Sequence, residues 1–282
     1  MIDQSPWERI FTHGVLILGC LIVAFPVYVT FVASTHSIED IIQVPMPLLP
    51  GGHLIDNYWT ALTSGADSAG NAPVGVMMLN SLIMAVTIAV GKISVSILAA
   101  FAIVYFKFPF RMFFFWMIFV TLMLPVEVRI IPTYAVISDL GMLDSYAGLT
   151  LPLIASATAT FLFRQFFMTV PEELFHAARI DGAGPIRFLC SIIIPMSRTN
   201  IAALFVILFI YGWNQYLWPL LITTREDMYT ILIGINRMLN VGDDQADWHI
   251  IMATSILAMI PPVIVVVSMQ KLFIKGMTET EK

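Results

Sequence analysis

Six stretches of the chain are apolar almost without interruption: residues 14–34, 79–105, 112–133, 146–166, 200–222 and 249–271. Each is about twenty residues or longer, the helix length that crosses the hydrocarbon core of a bilayer. Inside that core no water satisfies backbone N–H and C=O groups, so a single chain crosses it as helices or as a closed barrel. The pattern therefore predicts an all-α polytopic membrane protein with six transmembrane helices. The second run is the longest and is expected to project past the membrane on one side. Pro125, Pro132, Pro152 and Pro219 mark expected bends or ends, because proline removes a backbone donor. The fourth run carries the small residues Ala155 to Thr160, which allow close helix approach in lipid. Three parts are expected: residues 1–77, with a tail, the first helix and a loop; residues 78–271, a core of five helices; and a C-terminal tail, 272–282. The first run predicts a retained helix, since no clear small-residue cleavage site follows a short apolar core.

Composition agrees. The 282 residues are 59% hydrophobic and 12% charged, against roughly a quarter charged in soluble domains. The basic residues then orient the spans, because lysine and arginine accumulate on the cytoplasmic side. With the N-terminus inside, the inner segments hold Arg9, Lys107, Arg111, Arg164, Arg179, Arg187, Arg198, Lys271, Lys275 and Lys282, and the outer loops hold only Arg129, Arg225 and Arg237. Residues 34–78 contain no lysine or arginine. The asymmetry predicts an N-in/C-in topology.

One polar segment interrupts the pattern. "FHAARIDGAGPIRFLCSIIIPM", Phe175 to Met196, lies between two apolar runs, and Glu172, Glu173, Arg179, Asp181 and Arg187 crowd this part of the chain. At about 3 kcal/mol per charge near the membrane centre, burying them in lipid would cost more than 10 kcal/mol. The loop 169–197 is therefore placed in the cytoplasm. Thr169 and Glu172 have capping-box spacing and Pro171 suits a first turn, predicting a short helix over 171–181. Gly182 can close it in the left-handed conformation. Gly184-Pro185 is expected to open a second short helix ending before Pro195. Ala177 and Ala178 are expected to form a small-residue face. From the residues alone, a docking element and an amphipathic connector both remain open.

The segment resembles the cytoplasmic signature loop of bacterial ABC-importer permeases, Glu-Ala-Ala, three residues, Gly, nine residues, Ile-x-Leu-Pro. Here the positions read His176-Ala177-Ala178, Gly182, Ile192, Ile194 and Pro195, with Asp181 inside "ARIDGA". His176 replaces the Glu and Ile194 the Leu. "GWNQYLWPLLIT" (Gly212–Thr223), "FFWMIFVTLMLPVEVRIIPTY" (Phe114–Tyr134) and "LDSYAGLTLPLIASATATFLFRQFF" (Leu143–Phe167) are similar to permeases of the carbohydrate-type, maltose-permease-like branch, including those for sugar phosphates. The resemblance implies a type I ABC importer permease fold. It also implies a second, homologous permease as heterodimer partner, a dimer of ATP-binding subunits and a periplasmic substrate-binding protein. It points to glycerol-3-phosphate or related phosphodiesters as solute, with a neutral sugar or oligosaccharide as the alternative. The signature loop would fit a cleft on the ATPase. No GxxxxGK[ST] loop occurs in this chain, so ATP is expected on the partner and no cofactor on this subunit.

Polar groups at membrane depth are the candidates for the solute path. Asn214 and Gln215 could bind solute hydroxyls or join helices. Glu127 and Arg129 could meet an anionic solute or anchor a helix end. Lys92 is expected to face the bundle, as a structural partner or toward phosphate. Arg164 is expected to snorkel, and Trp213, Trp218 and Trp248 to anchor at interfaces. His13, His36, His53, His176 and His249 are scattered, and Cys20 and Cys190 sit apart. With no HExxH, GxSxG or paired-carboxylate motif in the spans, a membrane-embedded enzyme is disfavoured.

Overall fold

The computed structural model describes residues 6–65, 72–121, 126–240 and 246–278, without the side chains of 6, 126, 127 and 272–278. Every regular element among the described residues is helical. In chain order they are α1 (Pro6–Ala33), α2 (Ile38–Ile41), α3 (Leu54–Thr63), α4 (Val74–Tyr105), α5 (Arg111–Val120) and α6 (Val126–Asp139). Then follow α7 (Tyr146–Thr150) with a 3₁₀ turn, α8 (Ala157–Thr169), α9 (Glu172–Ile180), α10 (Pro185–Phe188) and α11 (Ile194–Met196). The last are α12 (Arg198–Trp213), α13 (Leu217–Ile222), α14 (Ile231–Leu239) and α15 (Trp248–Thr278).

Three described helices are long and apolar enough to cross a membrane, Trp7–Ala33, Val74–Tyr105 and Trp248–Lys271, and up to five if each of two bent pairs is one span. The fourth apolar run is such a pair: α7 with its 3₁₀ turn meets α8 at 50°. The fifth divides into α12 and α13, while α12 itself bends by 75° from residues 185–196. The third falls on α5 and α6; Pro125 and the rest of 122–125 lie outside the described residues. Pro132 sits within α6 without ending it. α15 runs on to Thr278, past the expected limit at 271.

Contacts divide the chain into two compact units, Met1–Met77 with Gly234–Ile260, and Met78–Ile233 with Pro261–Lys282. In the first, only 6% of the apolar window of α1 is buried. Trp7 is 80% exposed and Val23 75%, a surface suited to lipid or another subunit and not to water. Its C-terminal end is anchored by the buried Asn57, whose amide donates to the carbonyls of Ser34 (3.0 Å) and His36 (2.9 Å).

The second unit has an apolar core of Met84 and Ile88 from α4, Ile130 and Ile137 from α6, Leu149 from α7, and Trp218 and Ile222 from α13. Close helix approach sets its geometry. A Cβ on Gly212 would lie 2.9 Å from Ala85 Cα, so α4 and α12 meet backbone to backbone. Of the small residues of the fourth run, Ala159 and Thr160 are buried, Ala155 and Thr158 are exposed, and Ser156 O accepts from Ser96 Oγ (3.1 Å). Trp213 and Trp218 do not sit at an interface. Both are 3% exposed, and Trp218 Nε1 donates to Gly148 O (3.2 Å). The indole N–H finds a carbonyl inside the fold, so the ring needs no headgroup. Trp248, 39% exposed, keeps a surface position.

Candidate functional site: the signature segment and the broken helix

The signature segment folds as helix, turn, helix. α9 closes in a complete Schellman motif: Ala183 N–H donates to Ala178 O (2.8 Å) and Gly182 N–H to Arg179 O (3.1 Å), with Gly182 at φ +72°. An L-residue is strained at that angle and glycine is not. The N-terminus differs from the capping-box expectation. Thr169 ends α8, and its hydroxyl donates back to Phe166 O (2.7 Å). Pro171 occupies the N-cap of α9 without a side-chain bond. Glu172 and Glu173 still place negative charge on the first turn, where the helix dipole favours it. The second helix does not stop before Pro195. It passes from α10 through a π-helical stretch, Leu189–Ile193, into α11. A π turn loosens the hydrogen-bond ladder where proline supplies no donor.

Aromatic packing fixes the segment to the second unit. Phe188, buried, meets Phe175 edge-on at 5.3 Å and Tyr105 at 5.2 Å. Phe175 and Tyr105 are 5.5 Å apart. His176, Ala177, Asp181 and Gly182 are exposed, and Ile192, Ile194 and Pro195 are half-buried. Ala178 is buried at 5%, so the expected two-alanine face is corrected: α9 turns Ala178 inward beside Phe175, and only Ala177 faces out. The outer surface carries two apolar side chains that periodicity did not mark, Ile180 (86% exposed) and Ile186 (78%). They flank the charged turn, where a loop would be expected to be polar.

At the far end of α12 the helix breaks. Trp213 ends it, Asn214 caps it and α13 starts only at Leu217. Such breaks free backbone groups at membrane depth, as at ion and solute sites in transporters. Gln215 folds back, donating from Nε2 to Tyr211 O (3.2 Å), and Asn214 is exposed. Lys92, 7% exposed, places its ammonium 3.7 Å from the centre of the Tyr211 ring. Among the described residues, the formal charge that acts on it is another cation, the exposed Arg129, and no carboxylate lies within 4 Å. Thus Lys92 and Gln215 both lie on Tyr211, and Arg129 is near enough for its charge to act on Lys92. The side chain of Glu127 lies outside the described residues. Arg164 is half-buried. Its guanidinium lies 4.3 Å from the Phe115 ring, with Nε buried and unpartnered.

Two supports of the break were not singled out from sequence. Asn80, 1% exposed, donates to the carbonyls of Asp227 (2.8 Å) and Tyr229 (3.0 Å) and accepts from Tyr146 Oη (2.6 Å). Its signal was there: Asn80-Ser81 is a polar pair in an apolar run. Asp144, at φ +50°, accepts at Oδ1 from the N–H groups of Thr224 (2.6 Å) and Arg225 (3.0 Å), and at Oδ2 from the Thr224 hydroxyl. Slight desolvation raises its pKa, but the Thr224 hydroxyl, the two N–H groups and the Arg225 charge outweigh it and hold the carboxyl below its usual range.

The binding-protein-dependent transport system inner membrane component family matches residues 92–279. The sn-glycerol-3-phosphate transport system permease protein UgpE of Agrobacterium fabrum is 61% identical over the full length of both chains. Its namesakes from Brucella melitensis biotype 1 and Escherichia coli O1:K1 are 60% and 57% identical, again over both full lengths. Among solved structures, a bacterial ABC transporter involved in the import of the acidic polysaccharide alginate matches with a TM-score of 0.81 at 22% identity, covering 97% of this chain and 100% of that one. That likeness establishes the ABC permease fold.

Proposed function

The chain belongs to the binding-protein-dependent transport system inner membrane components, and on that premise we propose that it is one permease subunit of an ATP-driven importer of sn-glycerol-3-phosphate. Glycerophosphodiesters are included in the proposed solute class. The carrying observation is 57–61% identity, end to end, to permeases of that name. Membership makes the chain a transport subunit and not an enzyme. ATP binds the partner ATPase dimer, a periplasmic binding protein delivers the solute, and a second, homologous permease completes the path. The proposed topology has six crossings with both termini in the cytoplasm. Residues 78–271 form the permease core, and 1–77 and 272–282 flank it.

In this mechanism α9 and its glycine turn meet the ATPase through His176, Ala177, Asp181 and the exposed Ile180 and Ile186. Closure of the ATPase displaces α9. Phe175 passes the movement to Phe188 and Tyr105, and the helical run 185–196 passes it into α12. α12 has 16 residues, about 24 Å at the α-helical rise, and ends at Asn214. Movement at the ATPase thus arrives at the break, where Lys92 and Arg129 attract the phosphate and Asn214 and Gln215 offer amides to the hydroxyls.

Reporter fusions and uptake test this. Fusions after Asp56 and Asp227 should read periplasmic, and those after Asp181 and Lys282 cytoplasmic. A periplasmic signal at Asp181 would remove the coupling role. Arg129→Glu should slow phosphate-ester uptake more than Arg129→Gln; equal effects would make Arg129 a structural residue. Uptake of a neutral sugar in place of the phosphate ester would favour the alternative solute class.

A further inference from the structure

Beside the signature segment the second unit holds a cleft of about 800 Å³ whose wall shares Tyr105, Phe175, His176 and Phe188 with the coupling path and whose cations that path does not use. Lys107, Arg111, Arg164 and Arg179 line it, against a single acid, Glu172. The chain as a whole has a net charge of −5, so this positive charge is a local concentration. None of the four cations has a carboxylate within 4 Å among the described residues. Two are held on aromatic faces: Arg164 over Phe115 at 4.3 Å, and Arg179 over Phe175 at 5.7 Å.

The cleft lies where α4 ends, α5 begins and α8 ends. Its margin is apolar and open: Phe106 is 43% exposed, Met112 42% and Met168 57%. A free anion would use the cations and leave that margin idle. A molecule with a phosphate at one end and hydrocarbon at the other uses both. The volume is in the range of sites for ligands larger than a bare phosphate, and basic pockets between transmembrane helices on the cytoplasmic side suit anionic headgroups.

We propose that this cleft binds the phosphate headgroup of an anionic phospholipid from the cytoplasmic leaflet, with the acyl chains leaving past Phe106, Met112 and Met168. The proposal rests on the cytoplasmic placement of α9. His176 and Arg179 of α9 are part of the wall, so a bound lipid touches the coupling helix itself.

The test uses the complete importer in nanodiscs of phosphatidylcholine with or without phosphatidylglycerol. Lipid retained through detergent washing is quantified by mass spectrometry, and binding-protein-stimulated ATPase activity is read in parallel. The parent should retain phosphatidylglycerol over phosphatidylcholine and couple better with it. The exposed double variant Lys107→Gln/Arg111→Gln should bind phosphatidylglycerol less tightly by about fivefold per charge removed, as expected for basic residues at an anionic leaflet. Arg164→Gln should do the same and Arg164→Lys should retain most of the preference; the double variant decides the matter if Arg164→Gln fails to assemble. Inorganic phosphate in millimolar excess should not displace the lipid. Equal lipid retention by parent and double variant overturns the proposal. So does displacement by inorganic phosphate, which indicates a soluble anion. Lipid retention by the permeases that disappears on ATPase binding also overturns it, assigning the cleft to a protein segment. If the solute assignment fails instead, the parent will not take up glycerol-3-phosphate while the lipid result stands.

Discussion

Replacing Gly182 by valine changes one backbone angle and little else. A Cβ at this position meets nothing within 4 Å, so the side chain starts in open space. The cost comes from φ +72°, where an L-residue loses about 1–2 kcal/mol and a β-branched one sits among true outliers. Against it stand the two Schellman hydrogen bonds, worth about 0.5–1.5 kcal/mol each. The terms are comparable, so valine should open the turn for a large share of the time and detach the end of α9 from residues 185–196. A penalty of about 1–2 kcal/mol lowers the closed-to-open ratio of the turn by a factor of about 5–30. With the two terms nearly balanced, about half of the molecules hold the turn, so uptake by the reconstituted importer should fall at least about twofold, with less ATPase recovered alongside the permeases. Gly182→Asn is the control, because asparagine tolerates the left-handed region, and it should keep most activity. Wild-type uptake by Gly182→Val, or equal damage from asparagine and valine, would refute the strain argument.

His176→Glu should transport about as well as the parent and His176→Ala should lose part of the activity, because an exposed ion pair is worth under about 1 kcal/mol; hydrolysis without uptake in the Glu variant would show that the ATPase surface is matched to histidine. Lys92→Gln should reduce phosphate-ester uptake at least about tenfold, a modest share of the Coulomb energy of a buried ion contact, while Lys92→Arg retains more; identical losses would assign Lys92 to packing against Tyr211. Asn80→Leu should lower the unfolding free energy of the solubilised complex by about 3 kcal/mol or more, since two carbonyls and the Tyr146 hydroxyl lose their partner; an unchanged thermal midpoint would contradict it. Asp144 has a lowered folded pKa, so its clamp is complete above the usual carboxylate range near 4 and is lost as pH falls through the lower folded value. Thermal stability of the parent should therefore drop on acidification through this window, and Asp144→Asn should flatten the dependence.

The parts of this molecule that depend on composition could be read from the sequence. Apolar runs gave one end of each of α1, α4 and α15 to within a residue, because hydrocarbon imposes length and polarity directly, while the other end of each helix lies about five to eight residues further out. Gly182 was readable because few residues close a helix at positive φ. The breaks were harder. Nothing in Trp213-Asn214-Gln215-Tyr216 forbids a helix; the interruption appears with the packing of Trp218 on Gly148 and the clamp of Asp144 on Thr224, contacts some seventy to eighty residues apart in sequence. Thr169 had two uses for its hydroxyl, and the extension of α8 decided between them. Pro195 looked like a stop, yet a π-helical stretch accommodates it. Trp213 and Trp218 followed a sound general rule for interfaces and were overruled by a carbonyl and by neighbouring rings inside the fold.

The most direct test of the account is uptake of labelled sn-glycerol-3-phosphate into proteoliposomes holding this chain, its partner permease, the ATPase with ATP, and the binding protein. The account predicts ATP-dependent accumulation that disappears when this chain is omitted and outcompetes a neutral sugar supplied with the same binding protein. ATP hydrolysis without accumulation of the phosphate ester, or accumulation that persists without this chain, would contradict it.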